Sequence, residues 1–290
     1  MASKIKQYAF KPGLPLEIEI ISIGDTFLKG LAETTKPHRT DFYQVFWFQK
    51  GNPIHIVDFR SVELKPNSLL FIKKQRVHQF DPAGGYEGLG LLFTDQFFNR
   101  TDLDTKFLTN TILFNDLLDI PVIDLNESSP ELPRIFSQID TELNLPADAL
   151  HYDILQNFLH NFLLVAERER QKRDFTQIPK GADLDYTFQF TQLIEKHFIT
   201  HLAVNEYATN LSISERRLHQ ATTRILGKSP KELIDERILL EAKRLLVHTH
   251  LSIKEIGFQL GFEEPTYFNR YFRKHTGKTP IEFKGSYIGR

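Results

Sequence analysis

The sequence has no cysteine, no run of 18 or more apolar residues and no N-terminal signal pattern. Without cysteine the chain cannot form disulfide bonds, use a catalytic thiolate or bind zinc through sulfur. Without a signal or a long apolar run, we expect a soluble, cytoplasmic protein with no membrane partner.

A strong excess of either charge is also missing, since 36 basic and 37 acidic residues give a net charge of −1. The two parts of the chain differ, because residues 183–290 hold 16 basic and 13 acidic side chains, whereas residues 1–182 hold 20 and 24. A net charge of +3 in the second part predicts only modest non-specific affinity for DNA. Charge alone therefore does not identify a DNA-binding protein.

The sequence does contain enough apolar area for sizeable cores, with 41% hydrophobic residues and 25 Phe, and its 290 residues suit two domains. Residues 1 to about 94 hold short β-prone segments separated by turns. Phe42–Gln49, followed by a turn at residues 50–53, is the clearest of them. Strands this short and this closely spaced predict a β-sandwich or small barrel.

From residue 95 to about 170 the pattern becomes helical, most clearly over Leu150–Glu167. The apolar stripe of this segment is wider than a helix needs to lie on a sheet. It fits a core helix that covers the β domain and, equally well, a dimer interface between paired helices. The candidate dimer contacts are Leu155, Phe158, Leu159 and Phe162.

Residues 171–183 are dense in charge and contain Pro179 and Gly181. This composition predicts a linker. It would join an N-terminal domain of residues 1–170 to a C-terminal domain of residues 184–290.

One helix-turn-helix pattern occurs twice in the last hundred residues. Leu202, Glu206 and Leu211 recur 49 residues later, and the Gly-Lys-x-Pro-x-Glu pattern of residues 227–232 recurs 50 residues later. The sequence therefore predicts two helix-turn-helix units about one helical turn of DNA apart, a geometry suited to successive major grooves.

In the first copy, Val204–Asn210 predicts a scaffold helix and Ser214 the N-cap of a recognition helix that ends near Leu226. Arg can pair with guanine and Gln with adenine, so the outward side chains are candidates for DNA contact. If this copy stood alone, a solvated helix face would be the better explanation of these side chains. The candidates are Ser214, Arg216, Arg217, His219, Gln220 and Arg224.

In the second copy, Ile253–Leu260 predicts the scaffold helix, and Pro265 suits the first position of the recognition helix. Tyr271 and Phe272 have the spacing of core residues rather than of base-stacking ones. The outward candidates for DNA contact are Thr266, Asn269, Arg270 and Arg273.

Each copy then enters another helix through a capping box, Ser229 to Glu232 and Thr279 to Glu282. The first box opens a long helix, about Pro230–His248, which would hold the two recognition helices apart.

Residues 183–287 resemble the DNA-binding domain of the AraC/XylS family of transcriptional regulators, most strongly over IKEIGFQLGFEEPTYFNRYFRKHTGKTP. The resemblance implies an all-α double helix-turn-helix domain and double-stranded promoter DNA as partner. It also implies base contacts from Arg216, His219 and Gln220 in the first recognition helix and from Thr266, Asn269 and Arg270 in the second.

Two positions depart from the family pattern. Gly257 stands where Ala is usual, which costs about 1 kcal/mol of helix stability. Thr222 stands where an aromatic residue is usual. A smaller side chain at that position leaves a thinner core, so we expect the first helix-turn-helix unit to be the looser one.

The segments KPHRTDFYQVFWFQKG and ELKPNSLLFIKKQRVHQF look like the cupin-type effector domain found ahead of such DNA-binding domains. Cupin enzymes bind a metal through His-x-His, a Glu and a further His. Here His38 and His78 keep the first and last positions, but Thr40 and Gln44 replace the other two. This set suits a divalent transition metal poorly, so we expect no metal and no other cofactor.

Strand parity places Thr40, Phe42, Gln44, Phe46 and Phe48 on one face. With the two histidines, such a lining suits an organic effector that has an apolar body and hydrogen-bonding edges. Two other interpretations stay open, namely a filled core and barrel-mouth histidines with satisfied hydrogen bonds. The candidate effector contacts are His38, Thr40, Gln44, Phe46 and His78.

These observations predict a dimeric, sequence-specific transcriptional regulator that responds to a small organic effector, with RNA polymerase as a further candidate partner. One alternative is a regulator without an effector, whose β domain serves dimerisation. A more remote one is a cupin enzyme with an accessory DNA-binding domain, which the incomplete set of metal ligands disfavours.

Overall fold

The computed structural model describes residues 5–10, 16–24, 34–115, 119–126, 130–174 and 181–288. The chain divides into two compact units, Gln7–Gln177 and Ile178–Arg290, the latter grouped with Met1–Lys6. Of the predicted linker, residues 175–180 lie outside the described residues, while residues 171–174 belong to a helix that ends at Asp174.

The first unit is a sandwich of two antiparallel sheets, as predicted. One sheet has the order β1-β3-β8-β5-β6 and the other the order β10-β7-β4-β9-β2. The strands are β1 Lys6–Tyr8, β2 Ile18–Ser22, β3 His38–Thr40, β4 Tyr43–Lys50, β5 Ile54–Val57, β6 Arg60–Glu63, β7 Ser68–Ile72, β8 His78–Gln79, β9 Glu87–Phe93 and β10 Val122–Asp124.

The central strand β4 shows why both faces of its sheet are apolar. Tyr43 and Val45 point to a core that the sheet shares with the helices. Phe46 and Phe48 alternate with them and point to a second core, which also includes Val57 of the opposite sheet. Period-two alternation of this kind is the geometry of a strand buried on both sides.

Within the described residues, four α-helices follow the strands or flank β10: α1 Asp95–Phe98, α2 Asp102–Asn110, α3 Glu131–Leu143 and α4 His151–Asp174. The expectation of a purely helical segment after residue 95 is wrong at one point. Val122–Asp124 forms the edge strand β10, which pairs with Ser68–Leu70 of β7. It satisfies backbone groups that β7 would otherwise expose.

Helix α4 covers the sheet, as one of the two interpretations of its apolar stripe expects, and most of the candidate dimer contacts are therefore buried. The side chains of Leu155, Leu159 and Phe162 are fully buried within one chain, where they pack against α3 and the sheet. They cannot meet a second copy while this core is intact. Phe158, the fourth predicted contact, is only partly buried against the same core.

The second unit is all-helical, as predicted, with α5 Ala182–His197, α6 Val204–Asn210, α7 Glu215–Leu226, α8 Pro230–His248, α9 Ile253–Gln259, α10 Pro265–Thr276 and α11 Pro280–Ile288. Helix α8 lies at the centre, since its buried side chains share one core with residues of α5, α6, α7, α9, α10 and α11. Ile234, Ile238 and Ala242 supply much of its apolar side. The two helix-turn-helix units, α6–α7 and α9–α10, therefore rest on a common helix.

Among the described residues, no helix combines the length and the apolar character that a membrane span requires.

Candidate DNA-binding surfaces and ligand cavity

The first recognition helix is α7. Ser214 is its N-cap, and the Ser214 hydroxyl accepts a hydrogen bond of 3.2 Å from the backbone N–H of Arg217. Leu218, Ala221 and Thr222 are buried against the core, so the helix has a single outward face. Arg216, His219 and Gln220 are exposed on that face.

Two of the predicted contacts on α7 are already engaged by the neighbouring helix α5. Nη1 of Arg224 lies 2.9 Å from Oδ2 of Asp183, and Arg217 contacts the other oxygen of the same carboxylate. The Arg217 guanidinium also lies 5.2 Å from the ring centre of Tyr186. The hydrogen bond from Arg217, followed by that from Arg224, holds the pKa of Asp183 below its usual value. Asp183 therefore stays charged and holds both side chains towards α5.

The second recognition helix is α10, which begins at Pro265 as predicted. Phe268 and Phe272 are fully buried, and Thr266, Arg270 and Arg273 are exposed. Asn269 is only half-exposed, because its side-chain amide donates to the carbonyl of Pro265 at 3.1 Å.

Tyr271 belongs to the packing of α10 rather than to its exposed face. Its hydroxyl donates to Oδ1 of Asp235 on α8 at 2.9 Å, and Lys231 lies 2.8 Å from the same oxygen. Burial and then the neighbouring Asp235 carboxylate raise the pKa of Tyr271, so the hydroxyl keeps its proton. This contact fixes the second recognition helix to the central helix.

The turn of the second helix-turn-helix unit is in close contact with the segment before α6. Gly261 has a φ of +82°, and a Cβ built there would lie 1.9 Å from the carbonyl oxygen of Ile199. The ring of His201 forms a hydrogen bond of 2.8 Å with the carbonyl of Leu260. The turn therefore requires glycine both for its left-handed backbone and for space.

In the first unit, a cavity of about 250 Å³ lies between the two sheets. Four of the five predicted effector contacts, His38, Thr40, Gln44 and Phe46, line it. His78 does not line it but lies directly behind His38, with 4.3 Å between the ring centres. The other described lining residues are Tyr8, Ala9, Glu19, Ile21, Ile23, Thr34, Phe42, Phe80 and Leu92.

The polar groups of this cavity differ in their hydrogen bonding. The Thr40 hydroxyl donates to the carbonyl of Phe42 at 3.0 Å, and Nδ1 of His38 lies 2.9 Å from the carbonyl oxygen of Lys36. In contrast, Oε1 of Gln44 and Oγ1 of Thr34 are buried without a hydrogen-bond partner. Such atoms are rare in folded proteins because each costs about 1–3 kcal/mol.

A third histidine, His55, joins the predicted pair His38 and His78. Nε2 of His55 on β5 lies 3.1 Å from Nδ1 of His78, and both side chains are buried. Burial, and then the charge of nearby His38, lower the pKa of His55 to about 3. Burial is also the main cause that lowers the pKa of His78 well below its usual value. Alternation along β5, which puts His55 and Val57 on the inner face, was the available signal.

These imidazoles do not fit the metal site of a cupin enzyme. One nitrogen of His55 bonds His78 rather than pointing to a common centre, and Thr40 and Gln44 occupy the other ligand positions. Within the described parts of the chain, no three His, Asp or Glu side chains are grouped so that they could hold a metal ion.

Comparison with known proteins gives two family matches. The model described as AraC-like ligand binding domain matches residues 31–159, and the model described as helix-turn-helix domain matches residues 207–286. Together they cover most of both units.

Curated relatives match over most of their own length. The chain is 22% identical over 256 residues to the HTH-type transcriptional activator RhaR of Enterobacter sp. (strain 638), covering 85% of this chain and 86% of that protein. It is 23% identical over 259 residues to the uncharacterized HTH-type transcriptional regulator YfiF of Bacillus subtilis (strain 168), covering 86% and 79%.

Solved structures include ToxT from Vibrio cholerae, with a TM-score of 0.43 and 17% identity over 92% of this chain and 97% of that one. The C-terminal domain of AraT, a response regulator from Geobacillus stearothermophilus, gives a TM-score of 0.33 and 28% identity, covering 35% of this chain and 84% of that one.

Proposed function

We propose that the chain is a transcriptional regulator of the AraC family, and that both of its recognition helices contact promoter DNA under the control of an organic effector bound between the two sheets. The observation that carries the proposal is the pair of exposed polar faces on α7 and α10, each backed by a buried apolar face on one shared core. The proposed base contacts are Arg216, His219, Gln220, Thr266, Asn269 and Arg270.

The proposal is tested by measuring the affinity of the full chain for its own upstream DNA and for random DNA at several salt concentrations. Arg270→Ala removes an exposed guanidinium from the middle of α10 and should weaken recognition at one base step by about 1–3 kcal/mol. Lys254→Ala, an exposed cation of the scaffold helix α9, is the matched control and should leave the base preference unchanged. Equal losses on specific and random DNA would mean that Arg270 contacts only phosphate.

Control by an effector is supported by the cavity and by its two unpartnered polar atoms, Oε1 of Gln44 and Oγ1 of Thr34. A ligand can change DNA binding only if it binds two states of the protein with different affinity. At about 100 times its dissociation constant, a specific ligand should add about 2.7 kcal/mol to the free energy of unfolding. A regulator whose β unit serves only dimerisation would show no such ligand in a thermal screen.

We propose a homodimer as the working form, formed through the accessible side of α3 and α4, where Phe158 is the one predicted contact that is not fully buried. Phe158 lines a groove with Arg134 and Gln138 of α3, and Leu164 of α4 is 54% exposed. Both remain accessible to a second copy. Sedimentation of the full chain tests this, and a monomer at micromolar concentration would contradict it.

We further propose that the protein is a regulator rather than an enzyme and that it acts in the cytoplasm. Its curated relatives are named as transcriptional regulators, and its DNA partner would be found there. Contact with RNA polymerase stays a prediction.

A further inference from the structure

We propose that the cavity between the two sheets binds a small, fused-ring aromatic compound that carries a hydrogen-bond donor and no negative charge. This inference rests on the proposed function, because it assigns a ligand class to the effector site.

The size and the walls of the cavity favour two fused rings. An apolar cavity of about 150 Å³ admits benzene, and this one holds about 250 Å³. The rings of Phe46 and Phe80 meet edge to face at 5.0 Å, and Phe42 adds a third aromatic side chain. Aromatic ligands pack well against such walls in offset or edge-to-face arrangements.

The unpartnered atoms favour a donor on the ligand. Oε1 of Gln44 can only accept a hydrogen bond, and the Thr34 hydroxyl can accept one as well as donate. Both residues line the cavity. A ligand N–H or O–H that reaches Gln44 would remove the cost of this unpaired acceptor, whereas a ligand of the same shape without a donor would not.

The strand register places a carboxylate beside this acceptor. Glu19 of β2 and Gln44 of β4 both pair with Leu92 of β9, so the three side chains form one row on the inner face of the sheet. No described lining residue is Lys or Arg. An anionic ligand would therefore lose its hydration and meet a carboxylate, with no Lys or Arg among the described lining residues to balance its charge.

The experiment uses three probes that share a benzene ring fused to a five-membered ring, in calorimetric titrations of the full chain. Indole has an N–H donor, benzofuran has the same shape without a donor, and indole-3-carboxylate adds a negative charge. We expect indole to bind at least about tenfold more tightly than benzofuran, and indole-3-carboxylate to bind more weakly than indole. Benzofuran binding as tightly as indole, or indole-3-carboxylate binding more tightly, would overturn the inference.

Variants locate the effect at the named atoms. Gln44→Leu removes the acceptor and should bring the indole-to-benzofuran affinity ratio close to one, while Gln49→Leu, an exposed glutamine of the same strand, should keep the ratio of the unmodified chain. If Gln44→Leu does not fold, Thr34→Val is the milder change and should lower the ratio. Glu19→Gln should raise the affinity for indole-3-carboxylate. An unchanged ratio in a folded Gln44→Leu protein contradicts the role of this acceptor.

The failures of the two proposals can be told apart. If none of the probes binds while the chain still prefers its own upstream DNA, the ligand class is wrong and the regulator stands. If the preference for its own DNA is itself absent at every salt concentration, the proposed function fails.

Discussion

Asp183 competes with DNA phosphates for two arginines of the first recognition helix. Its carboxylate contacts both Arg217 and Arg224, and these contacts lower its pKa, so it remains an anion throughout the neutral range. Arg217 and Arg224 were predicted to contact DNA, and to do so they must exchange a carboxylate for a phosphate. This exchange lowers the net gain from each contact.

Asp183→Asn should therefore strengthen binding to random DNA, by up to about fivefold, which is the range that an exposed ion pair allows. The salt dependence should become steeper by up to about two units, because each additional phosphate contact contributes about 0.9. Asp185→Asn makes the same charge change at an exposed position of the same helix and serves as the control. Weaker binding by Asp183→Asn alone would instead mean that Asp183 orients the arginines for DNA.

For single residues, the sequence predicts which side chains lie on the exposed face of a helix better than it predicts the partners of those side chains. Arg216 and Gln220 could be placed outward because Leu218 and Ala221 mark the buried side of the helix. The contact of Arg217 with Asp183 joins residues 34 positions apart on different helices, and no local pattern records such a pair. Glu19 and Thr34 were missed in the cavity for the same reason.

Among the helices, the two scaffold helices of the repeat begin differently. Ser252 caps α9, and its hydroxyl accepts from the backbone N–H of Glu255 at 3.2 Å, while Glu255 accepts from the N–H of Ser252 at 2.7 Å. At the equivalent start of α6, Glu206 accepts from the N–H of Ala203 at 2.7 Å, but Ala203 offers no hydroxyl in return. The first helix-turn-helix unit thus lacks half of the capping box.

Ala203→Ser should restore the missing hydrogen bond and raise the free energy of unfolding by about 1 kcal/mol. The backbone already suits it, since φ and ψ are −73° and 159° at Ala203 and −68° and 156° at Ser252. The reverse change, Ser252→Ala, should lower the free energy of unfolding by a similar amount. Denaturant melts of both variants check the pair, and destabilisation by Ala203→Ser would contradict the equivalence of the two caps.

Gly261→Ala should lower the free energy of unfolding of the C-terminal helical unit by more than about 1 kcal/mol. The reason is that the new Cβ would overlap the carbonyl oxygen of Ile199 in a left-handed turn. Gly285→Ala is the matched control. No atom lies within 4 Å of a Cβ built at Gly285 in helix α11, so alanine should be neutral or slightly stabilising there. Equal thermal stability of the two variants would show that the turn can rearrange.

Other elements show where pattern-based prediction works and where it stops. The repeated caps and the period-3.6 stripes were enough to place α6, α7, α9 and α10. Strand β10 has three residues, too few to show alternation, and was missed. Gly257 was predicted only as a cost to its helix, but a Cβ there would lie 3.3 Å from that of Phe268, so glycine also allows α9 and α10 to approach closely.

For the whole molecule, we predict that the 19-residue helix α8, which connects the two helix-turn-helix units, determines the spacing of the DNA site. Its length is about 28 Å, close to the 34–36 Å that separate equivalent major grooves. Inserting five base pairs between the two half-sites should reduce the affinity towards that of one half-site, because it rotates one of them to the opposite side of the duplex. Changing the intervening bases without changing the spacing is the control, and tolerance of the insertion would exclude simultaneous contact.

The order of a β-sandwich and then a helical unit was predictable from the change in apolar period along the chain. The role of α4 was not, because a wide apolar stripe suits a core and a dimer interface equally. The burial of Leu155, Leu159 and Phe162 shows that this side of α4 belongs to the core. That burial arises because α3 and the sheet pack against the same side of the helix.

The low pKa values of the buried pair His55 and His78 determine how these rings respond to a change in the pH of the cell. Because His55 and His78 release their protons far below neutrality, acidification of the cell interior by one or two pH units leaves both rings uncharged. The charge that these two rings contribute to the sandwich then stays constant during acid stress. Neither ring would therefore make the response to an effector depend on the acidity of the cell.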